Sequence, residues 1–274
     1  MFQANELTTK KFMSASLGDE EKDRQFATTL ARGLEILQCF KPGQALLANK
    51  EFVAGTGLDK ATVSRLTFTL TRLGYLRHDT QLGKYRLGSP VLSMGYPLLA
   101  SMHIRHIARP LMTELADRVQ GTVAMGIRDR TAMVYVETVR AVDGLTPSAD
   151  IGVSLPLVAS AIGHAWLAGA PLAERQRVLN QVKVKEPALY AAHTPAVEQA
   201  LRDFQARGFC VSKGLLGKDR YAAAVPVARP VDSEIVVFNC SVASRDNSLQ
   251  MIQRELGPRL VTLVRSVEIA LGLH

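Results

Sequence analysis

The stretch from Gly55 to Arg86 constrains the fold more than any other part of this chain. Its first half carries apolar residues at steps of three and four, which is the spacing of a helix buried along one side. Asp59 stands at the N-cap position of this helix, and Gly74 stands directly after its end, where a residue of positive φ is often needed. The sequence therefore predicts a helix between these two residues, with one side buried. The buried stripe would consist of Val63, Leu66, Leu70 and Leu73.

Short elements on either side of this helix complete a larger unit. Residues 49–54 predict a short helix, and Gly55-Thr-Gly57 supplies a tight turn that can set two helices at a steep angle. After the main helix, residues 75–77 and 84–87 predict two strands around a turn at residues 79–83. Together these segments predict a winged helix-turn-helix.

The other side of the main helix is small, hydroxylated and cationic, so it can meet DNA. Taken alone, such a face also fits an ordinary amphipathic helix in water, but the preceding turn and the basic hairpin favour DNA. Ser64 and Arg65 would reach base edges, while Phe68 would either touch a thymine methyl or pack under the hairpin. The predicted DNA contacts are Lys60, Thr62, Ser64, Arg65, Phe68 and Arg72 on the helix, and Lys84 and Arg86 on the hairpin.

Composition supports a globular protein with an anionic partner. The chain has 274 residues, 47% of them apolar, which suffices for two domains with a core each. Its net charge is +8, and most of the excess lies between residues 24 and 90. Three widely spaced cysteines in apolar surroundings are typical of a reducing compartment. We see neither a signal peptide nor a membrane-spanning run, so we expect a cytoplasmic protein without membrane association.

The chain divides into four predicted segments of α+β structure. Residues 1–25 form a flexible tail, residues 26–88 the winged helix-turn-helix domain, residues 89–105 a linker helix that Pro97 can kink, and residues 106–274 a second domain. In that second domain, β-rich runs alternate with helical segments, which predicts an antiparallel sheet covered by helices. The β-rich runs are 122–127, 132–136, 221–228 and 235–242, and the helices are 110–120, one from about 160, 195–207 and 249–271.

Several motifs in this order give the chain a resemblance to the IclR (isocitrate lyase regulator) family of bacterial transcription regulators. The resemblance implies a GAF-like C-terminal domain that binds a small organic effector and mediates oligomerisation. The motifs are Ala31-Arg-Gly-Leu-Glu-Ile-Leu37, Gly57-Leu-Asp-Lys-Ala-Thr-Val-Ser-Arg-Leu66, Leu73-Gly-Tyr-Leu76, Tyr85-Arg-Leu-Gly88 and Leu155-Pro-Leu-Val-Ala-Ser-Ala-Ile-Gly-His-Ala165.

The effector site is predicted partly from the residues and partly from this resemblance. Ser160 can cap a helix whose first amides, those of Ala161, Ile162 and Gly163, would form a seat for a carboxylate. The resemblance implies further walls at Met125, Tyr135, Ser212, Ala222 and Asn239, although Met125 and Tyr135 fit plain core equally well. Ser212 and Ala222 replace the acidic and cysteine side chains usual in the family, which enlarges the site and favours an aromatic or longer acid.

Other functions find less support in the sequence. It contains no GxSxG, HExxH or P-loop motif, and we expect neither an enzyme nor a cofactor. His103 and His106 could bind metal from one helix face, and Ser160 could pair with His164, but surface and packing roles are favoured. A C-terminal domain that only oligomerises remains the alternative to an effector sensor. We expect a homodimer or tetramer on a palindromic operator, with the linker helix and a first helix predicted over residues 27–40 at the interface.

Overall fold

The computed structural model describes residues 25–141, 150–213, 220–243 and 248–273. The chain forms two compact units, Met1–Ser101 and Met102–His274. The predicted tail at residues 1–25 lies outside the described residues, apart from position 25.

The N-terminal unit is a helix-turn-helix with a two-stranded wing, as the sequence predicts. The wing strands β1 and β2 are antiparallel. One small core joins these elements; its buried members are Ile36, Leu47, Phe52, Val63, Leu66 and Leu76. The elements are α1 Thr28–Gln38, α2 Asn49–Thr56, α3 Lys60–Arg72, β1 Leu76–Asp79, β2 Lys84–Leu87 and α4 Pro90–Ser101.

Both ends of α3 carry the predicted signals. The Asp59 carboxylate accepts a hydrogen bond from the Thr62 amide at 2.9 Å, and Gly74 has a φ of 80°. The predicted buried stripe ends early, because Leu73 lies beyond the last helical residue and is 61% exposed. Leu76, the first residue of β1, fills the core there instead.

The predicted linker helix is shorter than expected. Helix α4 ends at Ser101, since Met102 has a non-helical ψ of 86°, and a new helix, α5, runs over His103–Val119. Arg105, predicted to end the linker, therefore belongs to α5, where it is paired with Glu137 of the C-terminal unit. Pro97 lies inside α4 and does not end it.

The C-terminal unit is built around an antiparallel sheet. Among the described residues the sheet has six strands in the order β5-β4-β3-β8-β7-β6. The two short outer strands, and the helix Leu172–Lys185, were not predicted from the sequence. The elements after α5 are β3 Thr122–Asp129, β4 Ala132–Arg140, β5 Ser154–Pro156, a 3₁₀ turn Leu157–Ala159, α6 Ala161–Gly169, α7 Leu172–Lys185, α8 Pro187–Arg207, β6 Cys210–Lys213, β7 Arg220–Pro226, β8 Val237–Ala243, α9 Ser248–Met251, a π turn Ile252–Leu256 and α10 Gly257–Ala270.

The two faces of this sheet pack against different helices. Ala124, Tyr135 and Ala224 share a core with α6, α7 and α8, and we call their side of the sheet the α6 face. Helices α5 and α10 contact each other and strands of the same sheet from the opposite side. A β-bulge opposite Met125 and Gly126 skips Val136, so the strand alternation of β4 reverses there. In the described part of the chain, no helix has the length and apolar character needed to cross a membrane.

Candidate DNA interface and effector site

The outer side of α3 is exposed and chemically mixed, as predicted. Phe68 is 66% exposed and does not pack under the wing. Ser64, Arg65, Phe68 and Thr69 line an open depression on the surface. The Thr62 hydroxyl donates to Asp59 at 2.7 Å, so this side chain can offer only its lone pairs to a ligand. Lys60 and Arg72 are exposed at the two ends of the same helix.

The wing presents a second cationic surface. Arg86 on β2 lies directly opposite Arg77 on β1, so the two guanidinium groups share one face of the hairpin. Lys84 lies opposite Asp79 in the strand register, and the Asp79 carboxylate accepts from the turn amides of Gln81 and Leu82 at 3.1 Å. The sequence analysis did not include Arg77 among the DNA contacts. The position of the hairpin turn determines that Arg77 lies opposite Arg86.

The N-terminus of α6 is capped by Ser160. The buried Ser160 hydroxyl donates to the Pro156 carbonyl at 2.8 Å and accepts from the Gly163 amide at 3.2 Å. The Gly163 amide is therefore already paired, and the prediction that it is open to a carboxylate is wrong. A Cβ on Gly163 would lie 2.0 Å from the Leu157 carbonyl oxygen, so only glycine fits at this close approach. Ala161 and Ile162 form the rest of the first turn and are buried.

Four of the predicted wall residues lie on the α6 face. Tyr135 belongs to the core on that face, and Asn239 pairs with Ala124 and Ala224 across neighbouring strands. Ser212 and Ala222, the other two predicted residues, lie in the next cross-strand row, two residues further along the strands. They share the α6 face because directly opposed side chains lie on the same face. That row reads Arg140, Thr122, Ser241, Ala222 and Ser212.

Met125 is the exception among the predicted walls. It is fully buried, and its neighbours in register are Glu137 and Phe238. Because successive side chains alternate along a strand, Met125 lies on the opposite face from Ala124. We therefore correct this assignment: Met125 is core between the sheet and the α5–α10 side.

The α6 face carries polar atoms that sequence reasoning missed. Asn239 donates from Nδ2 to the Tyr135 hydroxyl oxygen at 2.9 Å, and burial raises the pKa of Tyr135 to about 12. Asn239 Oδ1, Thr138 Oγ1 and Arg220 Nε are buried without a hydrogen-bond partner in the described structure. Arg220 stands two residues before Ala222 on β7. Because side chains alternate along a strand, Arg220 lies on the same face as Ala222.

The two candidate catalytic side chains, Ser160 and His164, are each hydrogen-bonded to a different backbone carbonyl. His164 Nε2 donates to the Val158 carbonyl at 2.7 Å, because a carbonyl can only accept, and Ser160 is bonded elsewhere. Burial lowers the pKa of His164 to about 4. His103 and His106 are exposed on α5. Among the described residues, no group of three or more His, Cys, Asp or Glu side chains could hold a metal ion.

Comparison with known proteins matches both units to one family. Residues 29–80 match the IclR helix-turn-helix domain, and residues 97–266 match the bacterial transcriptional regulator IclR C-terminal domain. The chain is 34% identical over 251 residues to the HTH-type transcriptional regulator TsaQ1/TsaQ2 of Comamonas testosteroni, covering 91% of this chain and 90% of that protein. It is 30% identical to the HTH-type transcriptional regulator XynR of Escherichia coli, over 73% of this chain and 79% of that protein.

Solved structures agree with this fold. An IclR family transcriptional regulator from Brucella abortus superposes with a TM-score of 0.80 at 41% identity, covering 94% of this chain and 98% of that one. An IclR homologue from Microbacterium hydrocarbonoxydans, complexed with 4-hydroxybenzoate, superposes with a TM-score of 0.67 at 20% identity, over 90% and 100% of the two chains. With a recognition helix, a wing and a C-terminal sheet domain in the order that these matches share, the chain belongs to the IclR family of bacterial transcriptional regulators.

Proposed function

We propose that this protein binds a palindromic operator as a homodimer or a dimer of dimers, and that a small aromatic acid bound in the C-terminal unit changes its affinity for that operator. Membership of a family of transcriptional regulators supports DNA binding and effector binding in general. The observation that carries the DNA part is the exposed outer side of α3, with Arg65 and Phe68 beside each other and a cationic wing following.

Roles can be assigned to the DNA-facing side chains by their place on the helix. Ser64 and Arg65 lie in the N-terminal half of α3, the part that reaches base edges in the major groove. Lys60, Arg72, Lys84 and Arg86 are placed at the helix ends and on the wing, where side chains meet phosphates and fix the register.

Dimerisation is supported by the surface of α4. No residue of this helix is buried, although four of its large apolar side chains would be costly to leave in water. Leu30 and Leu34 of α1 are also exposed in this unit. A second copy of the chain would cover such surfaces, and two modules would then read two half-sites about one helical turn apart. The α4 residues are Leu92, Met94, Tyr96 and Leu98, each more than half exposed.

The effector part rests on the α6 face. Ala222, Ala224 and Ala124 are small residues on the same face as the hydrogen-bonded pair of Tyr135 and Asn239, so a ring bound there would meet both apolar surface and polar groups. The Microbacterium homologue holds 4-hydroxybenzoate, but at 20% identity it supports only the fold, so the chemistry here is argued from this chain's own side chains. This chain's relatives are regulators rather than enzymes, and we propose no catalysis.

One experiment tests the assembly and the operator together. DNA selected from a random pool would be footprinted, and the mass of the free and bound protein would be measured by sedimentation. We expect a two-fold symmetric footprint and at least a dimer, with Leu92→Asp plus Leu98→Asp giving a monomer of weak affinity. Val184→Asp, at an exposed position in the last turns of α7, is the matched control. A wild-type monomer that binds an asymmetric site tightly would contradict this proposal.

A further inference from the structure

The wing places two arginines directly opposite each other. Arg77 on β1 pairs in register with Arg86 on β2, and both side chains are exposed. Like charges directly opposed across two strands are destabilising. The described part of the chain gives neither guanidinium an ion-pair partner. The hairpin therefore carries a repulsion that an anionic partner would relieve.

The carboxylate on the same face of the hairpin is already engaged. Asp79 lies two residues after Arg77 and therefore shares its face, because side chains alternate along a strand. The Asp79 carboxylate accepts from the amides of Gln81 and Leu82 at 3.1 Å, and Lys84 lies opposite it. Across the two strands, this face has more cations than its single, already bonded carboxylate can neutralise.

The hairpin is held against the N-terminal core, so its arginines have a defined place. The backbone of Tyr85 exchanges two hydrogen bonds with that of Leu47, at 2.7 and 3.0 Å, and its ring contacts those of Phe52 and His78. Strand β2 therefore lies between the Leu47 segment and β1. Within the described wing, Arg77 is thus on the outer strand.

The chain is long enough to bring the wing to the groove next to the one that α3 would read. Arg72 follows Arg65 by seven residues, a rise of about 10 Å along the helix. Strand β1 begins four residues later, and four residues span up to about 13 Å. Neighbouring major and minor grooves are half a helical turn apart, about 17 Å. With Arg65 in the major groove, the outer strand of the wing can reach the adjacent minor groove.

This inference rests on the proposed function: we propose that Arg77 enters the minor groove beside each half-site, while Arg86 contacts the phosphates there. Arg77 then reads the width of the groove, and the operator has a run of A·T pairs at that place. A narrow A·T minor groove has an enhanced negative potential that attracts arginine. A guanidinium is more weakly hydrated than an ammonium group, so it enters a narrow groove at a lower cost than lysine. The wing therefore contributes sequence preference as well as position.

The test compares three versions of the selected operator. In each version, five base pairs beside every half-site are A·T, I·C or G·C, first on one side and then on the other. Inosine lacks the amino group of guanine, so an I·C pair resembles A·T in the minor groove and G·C in the major groove. On one side, we expect the wild type to bind the A·T and I·C versions equally and the G·C version about tenfold more weakly. Fluorescence anisotropy at a fixed salt concentration measures these affinities.

Variants at position 77 separate groove reading from simple charge. Arg77→Ala should bind all three versions with the same affinity. Arg77→Lys keeps the charge, so it should match the wild type on the G·C version and lose the preference for the other two. Arg207→Ala, at an exposed position on α8, is the matched control and should keep the wild-type preference. Arg77→Ala should also keep or raise the melting temperature, because it removes a like-charge contact; a lower melting temperature would make Arg77 a residue of the fold instead.

Other results also overturn the inference. Binding of the I·C version as weakly as the G·C version would indicate a major-groove contact, and equal wild-type affinity for all three would leave the wing on phosphates alone. An A·T preference that survives in Arg77→Ala would assign the reading to another side chain. In each of these cases an operator is still bound, so the proposed function stands. If the wild type selects no operator from the random pool, the proposed function fails and this inference fails with it.

Discussion

Tyr135 and Glu137 are two residues apart on strand β4, yet their side chains lie on opposite faces of the sheet. Tyr135 pairs with Gly126 and Glu137 with Met125, because the bulge at Val136 inserts one residue between them. Tyr135 therefore reaches Asn239 on the α6 face, while Glu137 meets arginines of α5 on the other. One inserted residue gives a single strand both a candidate ligand contact and an anchor for the helix that follows α4.

Glu137 should be a major source of stability in the C-terminal unit. It is 2% exposed and accepts from Arg105 at 3.0 Å, from Arg109 at 2.7 Å and from the Thr138 amide at 3.1 Å. Breaking a buried ion pair by removing one partner costs about 3–5 kcal/mol. We expect Glu137→Gln to lower the free energy of unfolding by about 2–4 kcal/mol, since the amide keeps part of the hydrogen bonding. Urea unfolding measures this loss.

The control for that variant is Glu114→Gln. Glu114 makes an exposed ion pair with Arg118 one turn along α5, and such pairs contribute less than about 0.5 kcal/mol. Equal losses in the two variants would show that the buried cluster is not stabilising.

The sequence predicts the N-terminal unit well because its signals are local. A cap, a helical stripe and a turn glycine each act within a few residues, so Asp59, Val63 and Gly74 behave as expected. Leu73 does not, because the periodic pattern continues past the point where the chain leaves the helix.

The candidate effector site is harder to predict because it depends on register between distant strands. The face on which Met125 lies, and the place of Arg220 on the α6 face, follow only once β3, β7 and β8 are aligned. The bulge at Val136 has no signal in the residues themselves. Four of the residues that the resemblance implies as effector walls, Tyr135, Ser212, Ala222 and Asn239, do share one face.

Arg65 should contribute mainly to sequence specificity. It is exposed in the N-terminal half of α3, whereas Arg72 lies in the last turn, where phosphate contact is expected. Loss of a base contact costs about 1–3 kcal/mol at one position, and loss of a phosphate contact weakens all sequences alike. Arg65→Ala should therefore reduce operator affinity more than random-DNA affinity, and Arg72→Ala should flatten the salt dependence by about one unit. Fluorescence anisotropy over a salt series measures both, and equal losses on the two DNAs in Arg65→Ala would refute the base contact.

Phe68 should act on DNA rather than on folding. At 66% exposure it buries little apolar surface, so Phe68→Ala should change the free energy of unfolding by less than about 0.5 kcal/mol. Operator affinity should fall if the ring touches a thymine methyl, and replacing that thymine with uracil in the operator should produce the same loss in wild type. A large drop in melting temperature with intact DNA binding would instead place the ring in the fold.

His164 should make the C-terminal unit less stable in mild acid. Its ring is 1% exposed, Nε2 donates to the Val158 carbonyl, and Nδ1 has no partner within the described structure, so a second proton would be buried without an acceptor. Burial lowers the folded-state pKa from 6.5 to about 4. The unfolded chain then binds more protons between these values, and stability is lost as the pH falls through that window. Above it, both states are neutral and the stability is fully retained.

The size and the control of this effect follow from the same linkage. This shift in the pKa of His164 lowers the free energy of unfolding by about 3 kcal/mol once the pH is below the folded-state pKa. Burial raises the pKa of Glu186 to about 6, so this residue adds stability as the pH falls and opposes the effect of His164. The effect of His164 is therefore measured as the difference in stability between wild type and a His164 variant. His164→Phe keeps an aromatic ring without a titrating group. At neutral pH it should be less stable than wild type by about 1 kcal/mol because one hydrogen bond is lost. On acidification it should lose less stability than wild type. Exposed His103→Gln should follow the wild-type curve. Parallel curves for wild type and His164→Phe would show that His164 is not the group that titrates.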